Sequence, residues 1–168
     1  MALLNLRIVP DPVLRRKTRH VRNIDASIQR LVDDMLETMH HESGIGLAAN
    51  QVGVLHRVAV IHLPEAEEPI VLINPEVLRR EGQREVEEGC LSIPGYRATL
   101  FRSVTVRVKA QDREGKPFRI KAQELLAQAL EHEIDHLNGI LYVDHLESHE
   151  KLYKITEESD DPVEVGVG

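Results

Sequence analysis

Leu125-Leu126-Ala127-Gln128-Ala129-Leu130-Glu131-His132-Glu133-Ile134-Asp135-His136-Leu137-Asn138-Gly139 is the stretch on which the reading of the fold turns. Its centre, His132 to His136, is an H-E-x-x-H pattern. On an α-helix, residues four apart differ by about 40° in direction and ~6 Å in height. Both imidazoles therefore point into one small volume, at the spacing a divalent transition metal needs. Glu133 is turned roughly 60–100° away from them, near enough to touch a water beside such an ion. Leu125, Leu126, Ala129, Leu130, Ile134 and Leu137 are spread round most of the circumference, which predicts a buried helix rather than a solvated stripe. Two imidazoles and a carboxylate buried without partners would be costly, and a metal offsets that cost. Gly139 predicts the C-terminal stop.

The rest of the composition sets bounds on what surrounds this helix. A chain of 168 residues accommodates one domain with a real core. Hydrophobic residues make up 42% and charged residues 29%, an ordinary globular balance. Aromatics are only 3%, with no Trp, so aliphatic side chains must fill the interior. The net charge of −7 argues against a nucleic-acid-binding surface, and no direct nucleic-acid site is evident. A single Cys rules out an internal disulfide. No apolar run has transmembrane length and no signal-peptide core is seen, so no membrane partner is expected and the expected location is cytoplasmic.

Toward the N-terminus, the prolines of Val9-Pro10-Asp11-Pro12 predict an extended arm with a turn over Ile8 to Val21. Arg15, Arg16, Lys17, Arg19 and Arg22 form a basic cluster, read as solvated. Asp25 is a suitable N-cap for a helix running to about His41, with Ile24, Ile28, Leu31, Val32, Met35, Leu36 and Met39 defining one apolar face. Ser43 to Gly53 breaks that pattern; its three glycines allow close backbone approach, and Gln51 could offer an amide to a site. Short strands are expected at Arg57 to His62 and Ile70 to Ile73, with extended segments over Glu76 to Glu87. Val104, Val106 and Val108 alternate with polar residues, and Phe118 to Ala122 alternate again. The turn Asp112 to Lys116 joins the two as a hairpin. Leu141 to Ile155 should hold one more short extended or helical piece. Residues 1–155 are read as a single domain, and the acidic residues 156–168 as a frayed tail.

Two His ligands leave a catalytic metal one protein group short. Cys90, a carboxylate or another His could supply it. His145 and His149 are also four apart but lack apolar framing and are read as surface residues. Cys90 lies in a strand-like segment able to reach a neighbouring helix, and a metal would hold it as thiolate.

Three stretches, Gly44-Ile45-Gly46-Leu47-Ala48-Ala49-Asn50-Gln51, Glu88-Gly89-Cys90-Leu91-Ser92 and His132-Glu133-Ile134-Asp135-His136, together resemble the signature motifs of the peptide deformylases, in that family's order. The resemblance runs from about Ile8 to Leu146. It implies an α+β fold in which antiparallel β-sheets pack around a central buried helix carrying H-E-x-x-H. It also implies an enzyme that removes the N-formyl group from the formyl-Met of nascent polypeptides. Cys90, His132 and His136 would then be the metal ligands, with Glu133 as general base and acid. The Gln51 amide and the Leu91 backbone N–H would be the oxyanion donors. An extended substrate would add as a strand against Ile45 and Gly89, with Gly46 keeping the approach open. Its Met side chain would enter a pocket walled by Ile45, Leu125 and Ala129, with Arg97 near the entrance. Family resemblance implies Fe²⁺ as the native ion and Zn²⁺ or Ni²⁺ as common occupants of purified protein; thiolate and imidazole suit iron and zinc alike. Transient ribosome association is a further implication. Two departures stand out: Gln128 occupies a position where an apolar pocket residue is expected, and acidic residues follow Lys151 and Lys154.

Two other readings compete. An H-E-x-x-H metallopeptidase would take its third ligand from downstream of the helix, and a structural metal module would leave no open coordination position.

Overall fold

The computed structural model describes residues 2–146 and 152–154. Helix α1 (Ala26–His41) starts where expected: the Asp25 side chain accepts from the N–H groups of Ser27 and Ile28 at 3.0 and 3.2 Å. Of the expected apolar face, Ile28, Val32, Met35 and Met39 are buried, and Ile24, Leu31 and Leu36 are partly buried at its margins. They pack on one face of a five-stranded antiparallel sheet of β1 (Gly46–Ala48), β2 (Val58–Ile61), β3 (Ile70–Glu81), β6 (Thr105–Gln111) and β7 (Pro117–Gln123), in the spatial order β1-β2-β3-β6-β7.

Strand alternation sends Val58, Val60 and Ile73 toward α1. Ala59, Ile61, Leu72, Val106, Val108 and Ala110 point to the opposite face. That second face receives helix α2 (Glu124–Leu137) through Ala127, Ala129, Leu130, Ile134 and Leu137. A second antiparallel sheet, β4 (Arg84–Cys90), β5 (Ile93–Arg102) and β8 (Leu152–Lys154), has its own apolar cluster with Leu14, Leu141 and Tyr142. Every residue of α2 from Ala127 to Leu137 is buried. The fold is thus α+β, with antiparallel sheets around a buried helix. The all-round burial begins one turn later than the apolar pattern implies, because Leu125 in the first turn is 37% exposed.

Several elements differ from the sequence reading. The glycine-containing stretch after α1 includes the short strand β1 and a 3-10 turn, Ala49–Val52. Strand β3 continues through Pro75 because a register shift sits there. Asn74 takes φ of 55°, and its side chain bonds both backbone groups of Val21 and the Gln111 amide. Strand β5 is not evident in the sequence because Pro94 and Gly95 interrupt its opening. The segment after α2 is two pieces, a 3-10 turn at Tyr142–His145 and β8. Residues 156–168 and His149 lie outside the described residues, as does Lys151.

Gly139 stops α2 as the sequence predicts. Its φ is +77°, its N–H donates to His136 O, and the Ile140 N–H donates to Asp135 O, both at 2.9 Å. A Cβ there would lie 2.5 Å from the Arg15 carbonyl oxygen. Gly139→Ala is therefore expected to cost at least about 1–3 kcal/mol, read as a lower urea midpoint at unchanged slope. An unshifted midpoint would contradict the packing described here.

Candidate metal centre

Burial of α2 leaves its polar residues to find partners inside the protein. His132, Glu133 and His136 are each at most 1% exposed. One helical turn apart, the two imidazoles bring their Nε2 atoms to 3.0 Å. Strand β4 ends at Cys90, whose Sγ lies 3.3 Å from His136 Nε2. The three donor atoms of Cys90, His132 and His136 all fall within 4.8 Å of one another. Of the third-ligand options left open by sequence, it is therefore the thiol that converges on the imidazoles. His145 sits elsewhere, against Asp135.

The residues present fit a metal ion. His132 Nδ1 is engaged by the Glu88 carboxylate, which fixes the ring and turns Nε2 toward His136 and Cys90 as the coordinating face. One thiolate and two imidazoles are a donor set suited to zinc or ferrous iron. Burial disfavours charge on His132, but the adjacent Glu88 outweighs it and holds its pKa well above the usual imidazole range. A cation at Nε2 would take the place of that proton.

Behind His132 runs a chain of buried charges. Arg102 donates to both Glu88 oxygens at 2.7 and 2.9 Å, and to Asp135 at 2.8 Å. Burial pushes the Glu88 carboxyl up, yet His132 and Arg102 override this and hold it far below the ordinary carboxylate range. Gln128 donates to Glu87 O and Glu88 Oε2 at 3.1 and 3.3 Å. Its departure from an apolar residue thus has a local explanation: the amide faces the charge chain. In the sequence Glu88 stands out only as part of a motif, and nothing local marks a role for Arg102 or Asp135. An acid next to the ligand Cys was the available signal for Glu88; Arg102 is fourteen residues away in a strand that sequence did not reveal.

The Glu133 carboxylate has no hydrogen-bond partner for either oxygen among the described residues. Burial pushes its pKa up to about 8, against the opposing pull of His132 and Arg102. A cation on the neighbouring imidazoles would lower it again. Gly46 is what lets this carboxylate stand where it does, since a Cβ there would overlap it. The Gln51 side chain is fixed by its Oε1, which accepts from Ala48 N–H at 2.9 Å. Its Nε2 donates to Ser92 Oγ at 3.1 Å and lies 3.7 Å from Cys90 Sγ. Leu91 and Ser92 form the turn between Cys90 and Ile93, and the Leu91 side chain abuts Gly44.

The two sheets each present a strand paired on one side only among the described residues: β1 beside β2, and β4 beside β5. His62 N–H donates to Ile45 O at 2.7 Å, so that carbonyl faces β2. Alternation then puts the peptide groups of Gly46 on the open side. Ile45 and Ala129 share one buried cluster. Arg97 pairs with Gly89 in register and approaches Glu87 at 3.9 Å.

Replacing the hydrogen-bond partner of a metal-ligating His typically lowers affinity 10–100-fold. Glu88→Gln is accordingly expected to weaken zinc binding by about that factor in a chelator-competition titration. Unchanged affinity would mean that Glu88 does not orient the ring.

Comparison with known proteins agrees with this geometry. Residues 3–152 match the Polypeptide deformylase family. The chain is 53% identical over 165 residues to a peptide deformylase of Dehalococcoides mccartyi, covering 98% of this chain and 99% of that protein. It is 52% identical over 148 residues to one from Alkalilimnicola ehrlichii, covering 87% and 83%. Among solved structures, a peptide deformylase from Legionella pneumophila superposes with a TM-score of 0.86 at 46% identity, covering 89% of each chain. One from Synechococcus elongatus in complex with actinonin gives 0.85 at 42% identity, covering 88% of this chain and 81% of that one. With the match spanning nearly the whole sequence and the Cys90/His132/His136 cluster in place, this chain belongs to the polypeptide deformylase family.

Proposed function

We propose that this chain hydrolyses the N-formyl group of formyl-Met nascent polypeptides, with Cys90, His132 and His136 holding one divalent metal and Glu133 moving the proton. The observation that carries this is the convergence of one thiol and two imidazoles beside a buried carboxylate without a partner among the described residues. A divalent ion in such a site polarises a carbonyl and lowers the pKa of a water toward ~7.

Glu133 takes a proton from the water that attacks the formyl carbon and delivers it to the departing amine nitrogen. The products are formate and the free N-terminus. Gln51 Nε2, steadied through Oε1, and the Leu91 N–H at the β4–β5 turn donate to the oxyanion. An extended peptide adds between the open edges of β1 and β4, meeting Gly89 on one side. On the other it meets the backbone of Ile45 and Gly46, the Ile45 carbonyl itself being engaged by His62. Ile45 and Ala129 form the inner wall of the Met pocket. Leu125, more exposed, forms its outer lip, and Arg97 lies by the entrance.

The ion is Fe²⁺ in the native protein on this reading, replaced by Zn²⁺ or Ni²⁺ on purification, since the donor set accommodates each. Residues 1–155 act as one unit in the cytoplasm, where nascent chains emerge; no helix among the described residues is long and apolar enough to cross a membrane. Transient association with the ribosome would serve the same substrate.

Glu133→Ala is expected to abolish formate release from a formyl-Met peptide with metal content intact, and Gln51→Ala to lower kcat by about 10²–10³. A Glu133→Ala protein that still releases formate would overturn the assignment of the proton carrier. Anaerobically prepared protein is expected to contain iron and to lose activity in air, as thiolate and ferrous ion oxidise. Air-stable activity in iron-loaded protein would contradict that choice of metal.

A further inference from the structure

The face of the five-stranded sheet that carries α1 is only partly covered. The buried face of α1 packs over β1, β2 and the first half of β3, leaving the outer side of β6, β7 and the end of β3 exposed. The register there is unusual. Lys109 stands opposite Arg119, Arg107 opposite Lys121, and Arg79 opposite Arg107. Like charges directly opposite one another are unfavourable in a sheet. The acids on the same face are Glu76, 3.4 Å from Lys109, and Glu81, 2.8 Å from Arg79. Arg107, Arg119 and Lys121 enter none of the ion pairs among the described residues, on a chain whose net charge is −7.

A cleft of about 730 Å³ opens beside these rows. Lys17, His20, Lys109 and Arg119 line it, with Glu76 as its acid. Arg57 also lines it, but is committed to Asn138 Oδ1 and the Pro75 carbonyl at 2.9 and 3.2 Å. The cleft and the cationic rows lie at the β6–β7 side of the sheet, roughly 15–20 Å across the strands from the open edge of β1. A partner bound here leaves the peptide-binding edge clear.

We infer that the β3–β6–β7 face, with Arg79, Arg107, Lys109, Arg119 and Lys121, docks on the phosphate backbone of RNA. Repulsion between facing cations is relieved when phosphates lie across them, and such contacts release counterions without reading sequence. The choice of RNA among polyanions rests on the reading of this enzyme as one that acts on nascent chains. The overall acidity of the chain conceals this face, because a net charge does not report how the charges are distributed.

The test is binding of a short RNA duplex to the metal-loaded full chain, with formate release from a free formyl-Met peptide measured in parallel. With about three phosphates neutralised, affinity is expected to fall roughly 40-fold between ~50 and ~200 mM salt. Arg107→Glu with Arg119→Glu should lose binding while formate release is unchanged. Lys121→Glu should weaken binding yet melt no lower than the parent, since it turns a repulsive cross-strand pair into an attractive one. No binding by the parent, or equal binding by parent and variants, overturns the inference while leaving the deformylase reading intact. Binding that appears only after removal of residues 156–168 also overturns it, by assigning the face to the chain's own acidic tail. Absence of formate release by the parent would instead count against the enzymatic reading.

Discussion

One buried carboxylate, Glu88, governs the arrangement of this protein. It meets His132 on one side and the Arg102 guanidinium on the other, and Arg102 continues to Asp135 on α2. Each of these groups would be expensive to bury alone; removing one partner of such a pair costs on the order of 3–5 kcal/mol. Satisfied together, they fix the rotation of α2 against β4 and β5. The same contact that makes the interior tolerable aims His132 Nε2 at Cys90.

The two sheets have complementary tasks around that helix. The five-stranded sheet supplies the apolar bed for α2 and, at its β1 edge, the glycine against which Glu133 lies. The smaller sheet supplies the thiol, the buried acid and its arginine. Asn50 ties the turn after β1 to the His136 carbonyl, so the Gln51 loop and the helix are held as one body. Glu133 is left buried with neither oxygen partnered among the described residues, a situation that structure ordinarily avoids and catalysis requires.

Much of this was legible in the sequence because the decisive chemistry is local. H-E-x-x-H spacing on an apolar-framed helix yields the paired imidazoles, Asp25 marks the start of α1, and Gly139 marks the end of α2 through its left-handed backbone. The Schellman geometry at Gly139 is a short-range property, which is why a residue type alone identifies it. What stayed hidden depends on long-range pairing. Arg102 has no local feature that distinguishes it from exposed arginines, and its burial follows only once β5 is paired with β4. Cys90 could be singled out as a candidate by its neighbours, but its distance from the helix is a tertiary fact. The cationic rows on β6 and β7 were concealed for the same reason: alternation in each strand is visible, whereas which cations face one another depends on register.

The central claim is that a single ion is held by the thiolate of Cys90 and the imidazoles of His132 and His136. X-ray absorption on zinc-loaded protein tests it most directly. The account predicts one sulfur at about 2.3 Å and two imidazole nitrogens at about 2.0–2.1 Å from the zinc, with the remaining position filled by a light oxygen scatterer. A bound zinc with no sulfur neighbour, or with no histidine scattering, would contradict it.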